Sequence, residues 1–472
     1  MVKQSISPVV SKTPPGPRGL PIVGCFPQMA RNPLQFLIEV TRQYGDVVHL
    51  GAIGSQQLYL LTNPDDLKYI FVDNNKNYTK GTNFKGQEVA ITFGNGLVHS
   101  EGELARRQRR LMQPAFHRER IGLLITDMTK IIAQMLERWR GIEENTPLDI
   151  PEQMLDLTQK IVIKALLGVE GSRETTEIIQ AWNTVFVYNS ERTWALIKMP
   201  VNLPTPKNLR FKQAIRTVET NIYRIIRERK QSGSDVDDML AMMLNARDEL
   251  GETMSEQQLR DEMVTMFAAG FETSGTSLSW IWYLLSQHPK VEQKLHEELD
   301  TVLGGRTPTF EDLPNLKYTK MIVEEGMRVY PVAWLNSRSN IDDDEIAGYH
   351  IPSRSLLMLC PYITHRHPSF WENPEEFEPE HFSPERSANR PRYAYFPFGG
   401  GRRQCLGDIF ALTEIQLVVA MVAQHFRLKL VPGHPVELKP LLTLQARYGL
   451  SMTLERRSSF APASRRDHAS TV

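Results

Sequence analysis

Between Gly102 and Gln424 the apolar residues recur mostly at spacings of three and four, the mark of helices that bury one face. The period and its breaks predict helices near 102–112, 120–139, 152–168, 175–190, 208–231, 256–287, 290–302 and 315–329, with a further helix starting at Cys405. A shorter helical stretch runs from Pro33 to Tyr44. Strand-like segments are few: Val47–Leu50 and Gln57–Leu61 around a Gly-containing turn, Leu356–Cys360, and the region from Phe426 to Leu454. The expected fold class is therefore mainly α with small β-sheets (α+β), in one large catalytic domain spanning residues 25–455. Residues 1–24 read as an extended lead-in, because the prolines between Thr13 and Gly24 fix φ and lack amide donors. Residues 456–472 read as a flexible tail.

Charge and hydropathy narrow the function classes. Lys plus Arg and Asp plus Glu both total 55, so no net field draws the chain onto nucleic acid or an anionic surface. No run of eighteen apolar residues exists to span a membrane; the stretch Leu278–Leu285 is broken by Ser279. The polar segment Met1–Thr13 has no apolar signal core, which predicts a cytoplasmic protein. Cys25, Cys360 and Cys405 are too few and too scattered for a disulfide framework or a multi-cysteine zinc site, and suit a reducing compartment.

Cys405 stands apart. The segment Phe396–Ala411, F-P-F-G-G-G-R-R-Q-C-L-G-D-I-F-A, puts it where a Gly-rich loop turns into a helix. Amides and the helix dipole there favour a thiolate, the form that binds metal. Gly399, Gly400 and Gly401 permit close approach of a flat cofactor, and Gly407 leaves room for amides to donate to the sulfur. Arg403 offers a planar cation for a carboxylate, and Phe398 a shield for the sulfur. The bland reading is an inert buried cysteine beside a structural turn.

The spacing decides for the first reading: the segment resembles the cysteine-loop signature of cytochromes P450, Phe-x-x-Gly-x-Arg-x-Cys-x-Gly, matched by Phe398, Gly401, Arg403, Cys405 and Gly407. The resemblance covers almost the whole chain, with the motifs in the family's order. It implies the P450 fold, with heme b (iron protoporphyrin IX) between an oxygen-activating helix and the cysteine-loop helix, and a haem-thiolate monooxygenase acting with O2. The stretch Ala268–Ser274, A-A-G-F-E-T-S, resembles the oxygen-activating element. In it Ala269 and Gly270 let the backbone pass close to the iron, while Glu272 and Thr273 form a candidate proton relay.

Glu325 and Arg328 resemble the family's Glu-x-x-Arg pair, whose third arm is usually an arginine; here that position is His381, a group whose charge depends on pH. Arg109 matches the propionate arginine of a Trp-x-x-x-Arg helix, but Ala105 stands where tryptophan is expected, which predicts weaker haem retention with Arg109, Arg338 and Arg403 carrying the propionates. By resemblance, Phe84, Val89, Ile91, Phe93, Phe267, Ala333 and Trp334 line an apolar pocket, with a turn near Ala446, for a lipid-like or terpenoid substrate. Arg106, Arg107, Arg110 and Arg402 form a candidate basic rim for a ferredoxin or flavodoxin; no flavin or nicotinamide domain is visible, so electrons come from such a partner and its reductase. Two rivals stay open: a thiolate-haem isomerase, dehydratase or gas sensor, against which Glu272 with Thr273 argues, and a colourless helical binding module.

Overall fold

The 32-residue helix Glu256–Gln287, about 48 Å long at 1.5 Å per residue, is the axis of the molecule. In this computed structural model residues 12–21, 23–80, 86–169, 173–193, 199–232 and 238–457 are described. Ser255 starts the long helix, its side chain accepting the Gln258 amide at 3.1 Å. The helix packs on Ile150–Leu167, Asp408–His425 and Lys317–Val329. Two glycines set the first of these contacts. A Cβ on Gly270 would lie 2.9 Å from Val162, and one on Gly275 would lie 3.1 Å from both Leu155 and Thr158. Thr158 Oγ1 then donates to the Phe271 carbonyl at 2.8 Å, tying the two helices. Gly270 thus serves helix packing on Val162, which corrects the expectation that its missing side chain faces the iron.

The expected helices are present, as Gly102–Met112, Arg118–Arg140, Ile150–Leu167, Arg173–Thr193, Pro206–Ser232, Glu256–Gln287, Pro289–Val302 and Lys317–Val329. Most of the buried apolar residues join one cluster around the long helix.

A five-stranded sheet sits beside this body, in the order Val47–Ile53, Gln56–Leu61, Leu356–Leu359, Asn336–Asn340, Tyr78–Thr79. Gln56–Leu61 runs parallel to Leu356–Leu359, and the other pairings are antiparallel. Leu148–Asp149, Ser451–Arg456 and Phe426–Leu430 form a second small sheet, and Leu438–Pro440 pairs with Leu444–Ala446 in a hairpin. The Pro-rich lead-in lies along the first sheet, where the Pro15 carbonyl accepts the His49 amide at 2.9 Å. The expected leading segment up to residue 11 and the tail from 458 lie outside the described residues. Among the described residues no helix is long and apolar enough to cross a membrane.

Candidate active site

The cysteine loop is closed by its own backbone: the Cys405 amide donates to the Phe398 carbonyl at 2.9 Å, and the Gly399 amide to Phe396 at 2.9 Å. Gly399 and Gly401 take φ of +67° and +63°. At Gly401 there is no alternative to glycine, since a Cβ would fall 1.8 Å from the Phe71 carbonyl oxygen. The following helix begins at Asp408 with Gly407 as its cap, later than the expected start at Cys405, because a short helical turn at Gly401–Arg403 and the loop bond to Phe398 take up the intervening backbone.

Cys405 is open to contact, unlike the core cysteines Cys25 and Cys360, yet it lies deep within the protein. It therefore faces an internal space. Burial pushes its thiol up to about 11, against a hydrogen bond from Gly407 and the charge of Arg109. The Gly407 amide acts in the expected direction, and desolvation opposes it. A coordinated metal cation is what deprotonates such a sulfur. Cys360 is a core residue, its thiol donating to the Trp334 carbonyl at 3.1 Å.

Around this space the chain collects positive charge. Arg109 Nη1 donates to the Gln404 carbonyl at 2.7 Å, and Arg338 lies over the Phe71 ring at 5.2 Å. Among the described residues none of Arg109, Arg338 and Arg403 has a carboxylate partner within ion-pair distance. Burial, then the charge of Arg403, pulls Arg338 down to about 10. Lys80 falls to about 7 by burial and the charges of Arg403 and Arg338, and its backbone amide donates to Glu101 at 2.9 Å. Glu101 is a nearby carboxylate that acts on Lys80, Arg338 and Arg403, and like charges in excess of it, held half-buried, cost free energy that a further anion would recover. The two propionates of a haem suit this cluster, and the donor set fits the implied cofactor. Lys80 and Glu101 escaped sequence reasoning because Tyr78–Thr79 reads as no recognisable motif. Ala105 is buried, leaving no indole donor on that helix.

The long helix presents a bare stripe. Ala269 is exposed and Met266 and Thr273 are partly so, although their neighbours Phe267, Phe271 and Glu272 are buried. Thr273 Oγ1 donates to the Ala269 carbonyl at 2.7 Å. Glu272 and Thr273, the candidate proton relay, make no direct hydrogen bond to each other. One oxygen, Oε1, instead accepts from Thr443, from Gln445 Nε2 at 3.0 Å and from Thr276 Oγ1 at 3.4 Å. Burial raises this carboxyl above its ordinary value despite those bonds.

The Glu-x-x-Arg pair is complete and fully buried. Arg328 Nε and Nη2 bind the two Glu325 oxygens at 2.7 and 2.8 Å, and its Nη1 and Nη2 reach the carbonyls of His365, Pro374 and Glu376. His381 supplies the third arm, with Nδ1 at 2.9 Å from Glu325 and Nε2 at 2.7 Å from the Glu372 carbonyl.

Three expectations need correction. Phe267 and Trp334 are core residues: Phe267 packs edge-on against Trp182 with ring centres 5.7 Å apart, and the Trp334 indole donates to the Leu441 carbonyl at 3.0 Å. Val89, Ile91, Phe93 and Ala333 remain partly open, while Phe84 lies outside the described residues. The basic rim is largely neutralised, because Arg106, Arg107 and Arg110 pair with Glu103, Asp248 and Glu249. Of the four, only Arg402 is exposed without a carboxylate partner among the described residues.

A family model described as "Cytochrome P450" matches residues 14–452. The chain is 36% identical to "Cyclooctatin synthase" of Streptomyces melanosporofaciens over 91% of this chain and 93% of that one. It is 33% identical to "Cyclooctat-9-en-7-ol 5-monooxygenase" of the same organism, covering 91% and 94%, and 33% identical to "Pentalenene oxygenase" of Streptomyces avermitilis, covering 95% and 98%. A solved structure titled "Crystal structure of cytochrome P450DA heme domain" superposes with a TM-score of 0.86 over 95% of this chain and 98% of that one, at 23% identity, a likeness of fold. With the cysteine loop, the arginines gathered near it and these matches together, the chain belongs to the cytochrome P450 family of monooxygenases.

Proposed function

We propose that this monooxygenase binds heme b through Cys405 and inserts one atom of O2 into an apolar terpenoid, with electrons delivered by a separate ferredoxin or flavodoxin and its reductase. The observation that carries the reading is Cys405, open within the protein interior beside three arginines that lack a carboxylate. When bound, the haem supplies dioxygen binding and activation. Cys405 would hold its iron through the sulfur, and Arg109, Arg338 and Arg403 would hold its propionates. Phe398, Gly401 and Gly407 shape the loop around the sulfur, and Ala269 leaves room on the opposite wall. Gly270 contributes indirectly, by fixing how closely that wall's helix is held on Val162. The Thr273 hydroxyl, on leaving the Ala269 carbonyl, orders water beside the oxygen, and Glu272 stores the proton.

The substrate class rests on the partly covered apolar side chains Ile91, Phe93, Leu97 and Met266, which pack against the main core near that stripe. Relatives named for cyclooctat-9-en-7-ol and pentalenene, both polycyclic and largely hydrocarbon, support it. Residues 25–455 are the proposed catalytic unit and the cytoplasm its location, where Cys405 stays reduced.

The test is a reduced, carbon-monoxide-bound absorption spectrum followed by turnover of pentalenene and cyclooctat-9-en-7-ol under 18O2 with a surrogate ferredoxin and reductase. The expected results are a band strongly red-shifted from that of a histidine-ligated haem and one labelled oxygen in the product. A colourless protein overturns the cofactor. A pigmented protein that turns over fatty acids but neither terpenoid overturns the substrate class.

A further inference from the structure

Thr443 and Gln445 belong to the hairpin Leu438–Pro440/Leu444–Ala446 and its turn, far from the long helix in sequence, yet both place their side chains on Glu272. The contact is one-sided. Three donors, Thr443, Gln445 and Thr276, all converge on Oε1, whereas Oε2 has no hydrogen-bond partner among the described residues. A carboxyl group whose one oxygen is saturated by donors carries its proton on the other. The residue as a whole is 4% exposed. Burial raises this carboxyl above its ordinary value, against the three donors on Oε1.

The hairpin turn that supplies these donors is itself fixed. The Trp280 indole donates to the Leu444 carbonyl at 2.7 Å, the Trp334 indole to Leu441 at 3.0 Å, and the Leu444 amide to the Val332 carbonyl at 3.0 Å. Thr443 and Gln445 flank Leu444, the residue held twice. Their geometry is therefore set by the hairpin, and the long helix receives it.

We propose that Thr443 and Gln445 are positioning residues for oxygen activation, which hold Glu272 by Oε1 and leave Oε2 to keep and release the proton. This inference rests on the reading of Glu272 as the proton store, and the experiment separates the two.

The holoenzyme, its E272Q, T443V/Q445L and T443S variants, and the triple variant E272Q/T443V/Q445L are compared by infrared spectroscopy across a pH series. The protonated-acid carbonyl band missing from E272Q identifies Glu272. In T443V/Q445L this band moves to higher wavenumber as hydrogen bonds are lost, and T443S restores most of its position. With a surrogate ferredoxin and reductase, T443V/Q445L diverts several-fold more of the NADPH into hydrogen peroxide and shows a larger solvent isotope effect. In the E272Q background the same two changes add nothing. An unmoved band, or an equal further loss in the E272Q background, overturns the positioning role. If E272Q itself leaves peroxide yield and isotope effect unchanged, the proton-store reading falls first. The carbon-monoxide spectrum of each variant confirms that haem and fold are retained.

Discussion

His381 Nδ1 lies 2.9 Å from Oε1 of Glu325, and both side chains are shut off from solvent. The opposite ring nitrogen faces the Glu372 carbonyl, so a ring protonated at both nitrogens makes both bonds and stands in for a cationic side chain. Burial alone would push Glu325 up, but bonds from Arg328 and His381 outweigh it and leave the carboxyl below its ordinary value.

A depressed carboxyl adds stability above its unfolded-state pKa, and that stability is lost as pH falls through the folded-state value. Removing a donor raises the folded-state value. H381A is therefore expected to lose haem and secondary structure at a higher pH than the native protein during acid titration, and to cost about 3 kcal/mol near neutrality. H381R restores the native acid limb. Circular dichroism and the haem band followed together read both.

G401A is expected to yield little haem-containing protein. The added methyl meets the Phe71 carbonyl and the backbone sits at φ +63°, a combination worth several kcal/mol. G407A, whose Cβ would have no neighbour closer than 3.6 Å, is tolerated far better. The ratio of haem to protein after purification compares the two.

R338A and R403A are each expected to speed haem transfer to apomyoglobin about tenfold or more, since each removes one charge-assisted bond to a propionate, worth about 1.5–3 kcal/mol. Equal transfer rates in native and variant proteins would remove these residues from the site.

C405S is expected to abolish the red-shifted carbon-monoxide band, because a serine hydroxyl does not replace the sulfur as an electron-donating ligand. Retention of that band rejects Cys405 as the ligand.

R402E is expected to slow reduction by an acidic ferredoxin several-fold at low salt, with the gap closing as ionic strength rises. R106E should have a smaller effect, as Arg106 is already paired with Glu103. Stopped-flow reduction at several salt concentrations tests the contrast.

Local signals carried the fold class and the ligand. The helical period marked the eight main helices because each buries a stripe readable within its own residues, and the glycines, Arg403 and Cys405 lie within one short loop. What escaped is contact between distant segments. Nothing near Glu272 announces Thr443, 171 residues on, and nothing near Arg107 or Arg110 announces the acids at 248 and 249 that pair with them. Gly270 was assigned the wrong neighbour because a glycine reports that something is close without saying what. The burial of the sulfur was not legible, because desolvation depends on the whole fold, while the amide and dipole are visible in the motif.

The Phe71 carbonyl oxygen lies where a Cβ on Gly401 would be, so a segment near the amino terminus and a loop 330 residues later share one close seat. A substitution that shifts Phe71 is therefore felt at the cysteine loop, far away in sequence, with no change in the loop's own residues.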